Sequence, residues 1–280
     1  MQHVLSTHLF VAHRLTTVWL DRVWDAGFPA VEIFCARQHI DYRDKAQITE
    51  LGHWFRDAEL QVHSLHAPMY TDDVWGRSGP HAVIDITDTT KARRMAAVDE
   101  IKRALEIAEI VPFRYLIQHV GVTGQEFDEW RIESAFSSLD ELRVFAGQRG
   151  VELLLENTPN QLSSAQRLNQ LLTITHLNLN YCFDLGHAHM SEGVAAEFEL
   201  MKDRIRSTHV HDNNGHDDQH LFPGQGSIDW KETMRLLGGG SGQYPLLLEL
   251  KEVPTLEHPL QEAKQSVDQL TKYLTETVYE

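Results

Sequence analysis

Hydrophobic positions along the chain switch period again and again, two-residue alternation giving way to a 3.6-residue recurrence and back. HVLSTHLF (3–10) alternates, and the next segment places Leu15, Val18, Trp19, Val23 and Trp24 on one helical face before Gly27. A second strand is expected at 30–35 (AVEIFC). A helix follows at 44–58, with Ile48, Leu51, Trp54 and Phe55 on one side, and then a third strand at 60–68 (LQVHSLHAP). Residues 90–110 predict the clearest helix of the chain, RYLIQHVG (114–121) strand four, and 126–149 helix four. VELLLENTPN (151–160) reads as strand five before a short helix near 163–173, and LNYCFDLGHAH (179–189) as strand six before a helix at about 192–203. IRSTHVH (205–211) predicts strand seven. The next helix opens at SIDW and runs to Gly238, Gly239 and Gly240; YPLLLELKE (244–252) is strand eight, and 257–276 a closing helix. Strand–helix units repeated in this order imply a parallel sheet, and eight of them closing on themselves make a (β/α)8 TIM barrel, here one domain over residues 1–280.

One connection breaks the rhythm. Residues 69–89 are polar, carry Asp72, Asp73, Trp75, Arg77 and a Ser-Gly-Pro turn, and are long enough for a lid over a site. Trp75 and Arg77 are expected to cover a bound substrate; the alternative is an exposed loop or a contact between copies in a homo-oligomer.

Polar residues fall at the ends of the predicted strands. His66 ends strand three, His119 strand four, Glu156 strand five, Asp184 strand six, His209 strand seven and Glu249 strand eight. In a TIM barrel those carboxyl ends ring one mouth, so residues far apart in sequence become neighbours. Residues 205–226 add to them: Ile205, Ser207, His209 and His211 share one strand face, and Asp218 and His220 follow on a loop closed by Pro-Gly-Gln-Gly. Glu156, Asp184 and Glu249 at one mouth would repel by roughly 4 kcal/mol per pair at about 4 Å and an effective dielectric of about 20. A divalent cation relieves that repulsion, and nitrogen and oxygen ligands without thiolate favour Mn, Mg, Zn, Co or Fe.

Composition narrows the partners. The formal charge is −16, from 41 acidic and 25 basic residues, which disfavours nucleic acid, and Ser207–Trp230 contains no Lys or Arg. No apolar run is long enough to span a membrane, and no signal-peptide pattern opens the chain, so a cytoplasmic protein is expected. Cys35 and Cys182 sit in apolar runs and read as buried thiols.

The ordered set HAP (66–68), EN (156–157), FDLGHAH (183–189), HVHD (209–212), DQHLFPGQGSIDW (218–230) and LELK (248–251) resembles the xylose-isomerase-like barrel superfamily over essentially the whole chain. That superfamily groups sugar-phosphate isomerases and epimerases, ketose 3-epimerases and the endonuclease IV type of AP endonuclease. The epimerase branch implies one Mn-like ion held by Glu156, Asp184, His209 and Glu249, with His187 binding substrate. The endonuclease branch implies a trinuclear zinc cluster that adds His66, His119, His187, Asp218 and His220. The acidic charge favours the sugar branch, although the Arg that ketose epimerases place after the strand-seven His is absent here.

The reaction expected is isomerisation or epimerisation of a sugar or sugar phosphate by proton transfer next to a carbonyl through an enediolate, with Glu156 and Glu249 as base and acid and Mn, Zn, Co or Mg as the cofactor. His187, His66, Trp75 and Lys251 are the expected substrate contacts, Lys251 alternatively neutralising Glu249, with Glu32 and His8 as second-tier contacts for which a structural role is the equal alternative. Asn157 and Asp212 are expected to orient ligands, Gly186 to give the turn backbone freedom, and His189 to be structural. The rivals are a multinuclear zinc phosphodiesterase and a non-catalytic sugar-binding barrel.

Overall fold

The computed structural model describes residues 1–239 and 244–276; Gly240, the end of the expected glycine stop, lies outside the described residues. The strands are β1 (His3–Ser6), β2 (Ala30–Phe34), β3 (Gln61–His66), β4 (Tyr115–His119), β5 (Glu152–Glu156), β6 (Asn180–Asp184), β7 (Ile205–His209) and β8 (Leu246–Leu248). All the ladders are parallel, in the order β7-β6-β5-β4-β3-β2-β1-β8. The ring comes round through an isolated parallel bridge between Val210 and Leu248, where Val210 N–H donates to Leu247 O at 2.8 Å. The chain is a (β/α)8 TIM barrel.

The outer helices are α1 (Thr17–Asp25), α2 (Lys45–Asp57), α3 (Lys91–Leu105), α4 (Glu129–Gly147), α5 (Ala165–Ile174), α7 (Val194–Met201), α8 (Trp230–Gly239) and α9 (Pro259–Glu276), with a short α6 (Leu185–Met190) at the top of β6. The main apolar core lies between strands and helices, from Leu5 and Val31 through Leu105, Leu139 and Leu168 to Leu248. Smaller apolar groups fill the barrel itself: Val4, Ala30 and Leu247, and separately Tyr115, Ile117, Leu154 and Cys182. Side chains alternate along a strand, so the inward position two residues beyond Ile117, Leu154, Cys182 and Leu247 belongs to His119, Glu156, Asp184 and Glu249. The alternation that buries the floor thereby lifts the polar residues to the rim. Cys35 and Cys182 are buried free thiols, and among the described residues no helix is long and apolar enough to cross a membrane.

Several strands stop earlier than the alternation suggests. The β6 pattern runs on to His189, yet the chain turns into α6 after Asp184, whose Oδ1 accepts the His187 N–H at 2.7 Å and caps the helix. β1 ends at Ser6, and Thr7–Phe10 form a 3-10 turn. At 69–89 the expected open loop is partly pinned: Tyr70 bridges Val83, and Trp75 N–H donates to Gln38 Oε1 at 3.0 Å.

Asp212 holds together the loop that follows β7. Its carboxylate accepts from Asn213 N–H at 2.9 Å, Gly224 N–H at 2.8 Å, Ile228 N–H at 3.2 Å and Trp230 Nε1–H at 2.8 Å. The expectation that it orients a neighbouring ligand is corrected: its bonds go to the loop and to Trp230. Replacing Asp212 with Ala leaves four donors unmatched, three of them on the buried residues Asn213, Ile228 and Trp230, where each costs about 1–3 kcal/mol. A loss of about 3 kcal/mol or more is expected, lowering Tm by about 6–12 °C in a calorimetric scan.

Candidate metal centre

Among the described residues ten donors meet at the carboxyl rim in three groups, of which the first two share Glu156: Glu156, Asp184, His209 and Glu249; His66, His119 and Glu156; and His187, His211, Asp218 and His220. In the central group, His209 Nδ1 lies 3.4 Å from Glu156 Oε2, 3.7 Å from Asp184 Oδ2 and 3.5 Å from Glu249 Oε2. In the second, His66 and His119 Nε2 are 3.2 Å apart, and they lie 3.6 and 3.2 Å from the same Glu156 Oε2. In the third, His187 Nε2 is 3.3 Å from Asp218 Oδ2 and His220 Nε2 3.3 Å from Asp218 Oδ1. Donors around a tetrahedral ion with bonds of about 2.0–2.2 Å stand roughly 3.3–3.6 Å apart, so the spacing suits ligand edges better than short, charge-assisted hydrogen bonds.

Imidazole orientation agrees. His66 Nδ1 donates to Ala67 O, His187 Nδ1 to Asn157 O and His220 Nδ1 to Glu249 O, each at 2.9 Å, which leaves each Nε2 lone pair facing its group. His209 is reversed, with Nε2 3.3 Å from Glu32 and Nδ1 toward the carboxylates. His209 Nδ1 and Glu156 Oε1 are buried without a hydrogen-bond partner. Such atoms each cost about 1–3 kcal/mol unless something takes them, and a cation does so for the donor set as a whole. These residues therefore fit a divalent metal.

The sequence profile of the xylose isomerase-like TIM barrel family matches residues 20–273. The chain belongs to that family. Fructoselysine 3-epimerase from Escherichia coli O157:H7 is 27% identical over 151 residues, 51% of this chain and 54% of that protein. Among solved structures in the same fold, a D-tagatose 3-epimerase-like protein superposes with a TM-score of 0.77 at 23% identity, covering 99% of this chain and 100% of that one. The IOLI protein with a bound zinc atom gives 0.76 at 19% identity, covering 98% and 99%.

For this member of the family, a cavity of 480 Å³ opens above the donors. His8, Phe34, His66, Trp75, His187, Glu249 and Lys251 line it, while Glu156, Asp184 and His209 lie beneath, fully buried. His8, Trp75 and Lys251 thus stand where substrate contacts were expected. Glu32 does not line the cavity: it is fully buried below the rim, bonded to Ser6, Ser64 and His209, which agrees with the structural alternative for it. Arg77 is also misplaced by the lid reading, being exposed and absent from the cavity wall. Lys251 makes no ion pair with Glu249 among the described residues.

Asn157 clamps the Asp184 backbone, with Nδ2–H donating to Asp184 O at 2.9 Å and Oδ1 accepting the Asp184 N–H at 2.8 Å. Gly186 answers a close approach, not a demand for backbone freedom: a Cβ there would overlap the His211 ring. His189 turns outward to Ser227 at 2.8 Å. Sequence reasoning put His211 on the right face but not at the site; it is fully buried, its Nε2 lies 3.1 Å from Asp184 Oδ2, and it stacks 4.0 Å from His220. His220 itself has φ +47°, a left-handed conformation costing about 1–3 kcal/mol, held by Lys251 N–H donating to its carbonyl.

Protons answer the same electrostatic demand as cations. Burial pulls the His220 imidazole down, but the Asp218 carboxylate and then Glu249 raise it to about 9. Burial pushes Asp218 up, yet His187 and His220 hold it well below the usual carboxylate range. Burial likewise works against the Glu156 anion, and His119 and His209 outweigh it. Because His220 sits above its ordinary 6.5, its proton stabilises the metal-free fold fully below pH 6.5, and that contribution is lost as pH rises through about 9. Chelator-treated protein is expected to lose stability across this window, while divalent-ion binding tightens as the proton leaves. Denaturant titrations and ion-binding isotherms at pH steps spanning the window measure both.

Proposed function

We propose that the chain is a divalent-metal-dependent sugar isomerase or epimerase that moves a proton at a carbon beside a carbonyl. The observation that carries this reading is the pair Glu156 and Glu249, whose carboxylates approach one His209 Nδ1 at 3.4 and 3.5 Å under a cavity sized for a small molecule. The likeness to fructoselysine 3-epimerase supports the sugar class, within the half of the chain it covers. A bound ion supplies Lewis acidity toward carbonyl and hydroxyl oxygens. The central group, with three carboxylates to one imidazole, suits Mn or Mg, whereas the imidazole-rich flanking groups suit Zn or Co.

The protein side of the reaction follows from position. Glu249 lines the cavity and meets the substrate carbon directly; Glu156 lies deeper, where its Oε2 is shared by two donor groups. Abstraction by one carboxylate gives an enediolate, and return of the proton by the other, or by the same one at the neighbouring carbon, distinguishes epimerisation from isomerisation. Val11, Phe34, Met69 and Trp75 form an apolar wall that excludes water and receives the C–H face of a sugar ring. His8 and Lys251 offer polar contacts at the rim, and His187 a donor nearer the ion.

Glu156→Gln and Glu249→Gln are each expected to reduce exchange of the reacting carbon-bound hydrogen with deuterated solvent by about 100-fold or more, with circular dichroism unchanged. Proton NMR over a panel of free and phosphorylated ketoses reads this. Full exchange in the double variant would remove the two-carboxylate mechanism.

A second reading has its own support. His66 and His119 on one side and His187, His211, Asp218 and His220 on the other extend the central group in a way a single-ion epimerase does not require, as for a multinuclear phosphodiesterase. Ion counting by mass spectrometry on the native protein separates the two: one ion per chain supports the isomerase, and two or three support the hydrolase.

A further inference from the structure

We propose that Glu32 is a positioning residue for the central ion: buried beneath the rim, it takes the His209 Nε2–H and so aims the Nδ1 lone pair at the ion held with Glu156, Asp184 and Glu249. The inference rests on the metal reading of that group and not on the sugar chemistry.

The arrangement is built into strand register. Ser6 on β1 and Ser64 on β3 flank Glu32 on β2 at the same height, since Ser6 pairs with Glu32 and Glu32 with Ser64. Both hydroxyls donate to the carboxylate, Ser6 Oγ to Oε1 at 3.0 Å and Ser64 Oγ to Oε2 at 2.8 Å. His209 reaches Oε2 at 3.3 Å from β7, on the far side of the barrel. None of the three partners is a backbone group that sheet formation would have to satisfy, and all four residues are fully buried. Burying a carboxylate in a barrel interior costs several kcal/mol, a poor exchange for stability when an apolar side chain would fill the same layer. The charge earns its place only through what it does to His209.

Two consequences follow for the imidazole. Donation from Nε2 selects the tautomer whose Nδ1 is a lone pair, the nitrogen that is buried without a hydrogen-bond partner and faces three carboxylates. The negative charge behind the ring also makes Nδ1 a stronger donor toward a cation, as carboxylate–histidine pairs do at metal sites. Ser6 and Ser64 keep the carboxylate from turning away. The flanking imidazoles are fixed by backbone carbonyls instead, so this charged support belongs to the central group alone among those with an assigned tautomer.

The test measures ion affinity, with Mn and with Zn, by competition against a chromophoric chelator, beside the thermal midpoint of the metal-free protein and the ¹⁵N shifts of His209. Glu32→Gln keeps the shape and removes the charge. Expected are a metal affinity about 10- to 100-fold weaker, a metal-free midpoint unchanged or raised, and, in the Zn-loaded protein, a His209 signal that moves off the Nε2-protonated tautomer expected of the parent. Glu32→Asp keeps the charge but withdraws it from His209, and a similar weakening is expected; it stands in should the Gln variant not fold. A purely structural brace would give the reverse pattern, a lowered midpoint with unchanged affinity, and would overturn the proposal. So would an Nδ1-protonated His209 in the Zn-loaded parent. Parent protein that binds neither ion removes the metal reading and this inference together, whereas tight binding in the parent matched by both variants removes this inference alone.

Discussion

Negative charge gathered in a place that water barely reaches is what the rest of this structure has to accommodate. Glu156, Asp184 and Glu249 are buried at one rim with Asp218 beside them, and Glu32 lies directly below. Carboxylates so placed cannot all stay ionised without positive charge among them, because like charges at these separations cost several kcal/mol per pair. His66, His119, His187, His209, His211 and His220 ring them, and imidazole has two ways of answering such a demand, as a protonated cation or as a neutral ligand to a bound metal ion. The direction in which Asp218 and His220 are displaced from their ordinary values describes the first state, and the donor spacing describes the second.

The barrel prepares those imidazoles at little extra expense. Where a strand ends, its last carbonyls leave the ladder and need donors. Asn157 O lies just past β5, Ala67 O just past β3, and Glu249 O and Leu250 O just past β8; these are the acceptors for His187, His66, His220 and His8. One event, the end of sheet pairing, therefore both leaves acceptors open and sets which ring nitrogen is free. His209 lies at the last paired residue of β7 with its Nε2 turned inward and down, where no free carbonyl is offered, and there a carboxylate does the work.

Much of this was legible before any coordinates. The strand-end residues His66, His119, Glu156, Asp184, His209 and Glu249 could be picked out because alternation and barrel topology together specify both which residues point inward and which end of the strand is the mouth. What stayed hidden depends on neighbours in space. Glu32 is one inward step below the rim, a difference of depth that a one-dimensional pattern does not carry, so a substrate contact and a structural role stayed equally open for it. Asp212 sits beside a histidine-rich strand and resembles a ligand-orienting group, yet its acceptors are satisfied by a loop ending at Trp230. Gly186 lacks a side chain because the His211 ring occupies that space, a contact between β6 and the segment after β7 that neither stretch announces by itself. Asp184 was legible as the end of β6 although Leu185, His187 and His189 continue the alternation; the capping bond from His187 N–H to Asp184 is what acts against that continuation.

The number of ions decides what kind of substrate the rim can hold. With one divalent ion, the four rim carboxylates remain in excess and the mouth stays negative, a setting that accepts an uncharged sugar and repels a phosphate ester. Two ions balance the carboxylates, and three reverse the sign, so that a phosphodiester becomes the favoured guest. Among the described residues Lys251 is the only Lys or Arg on the cavity wall, and Glu252 lies beside it, so side-chain charge does little to tip the balance either way. Glu32 adds a further negative charge behind the central position, strengthening the hold on an ion there without offering a ligand to the flanking groups. On the proposed metal reading, its charge would favour filling of the centre first, so that a site with one ion, suited to proton transfer on a neutral sugar, would be reached before any state suited to phosphate.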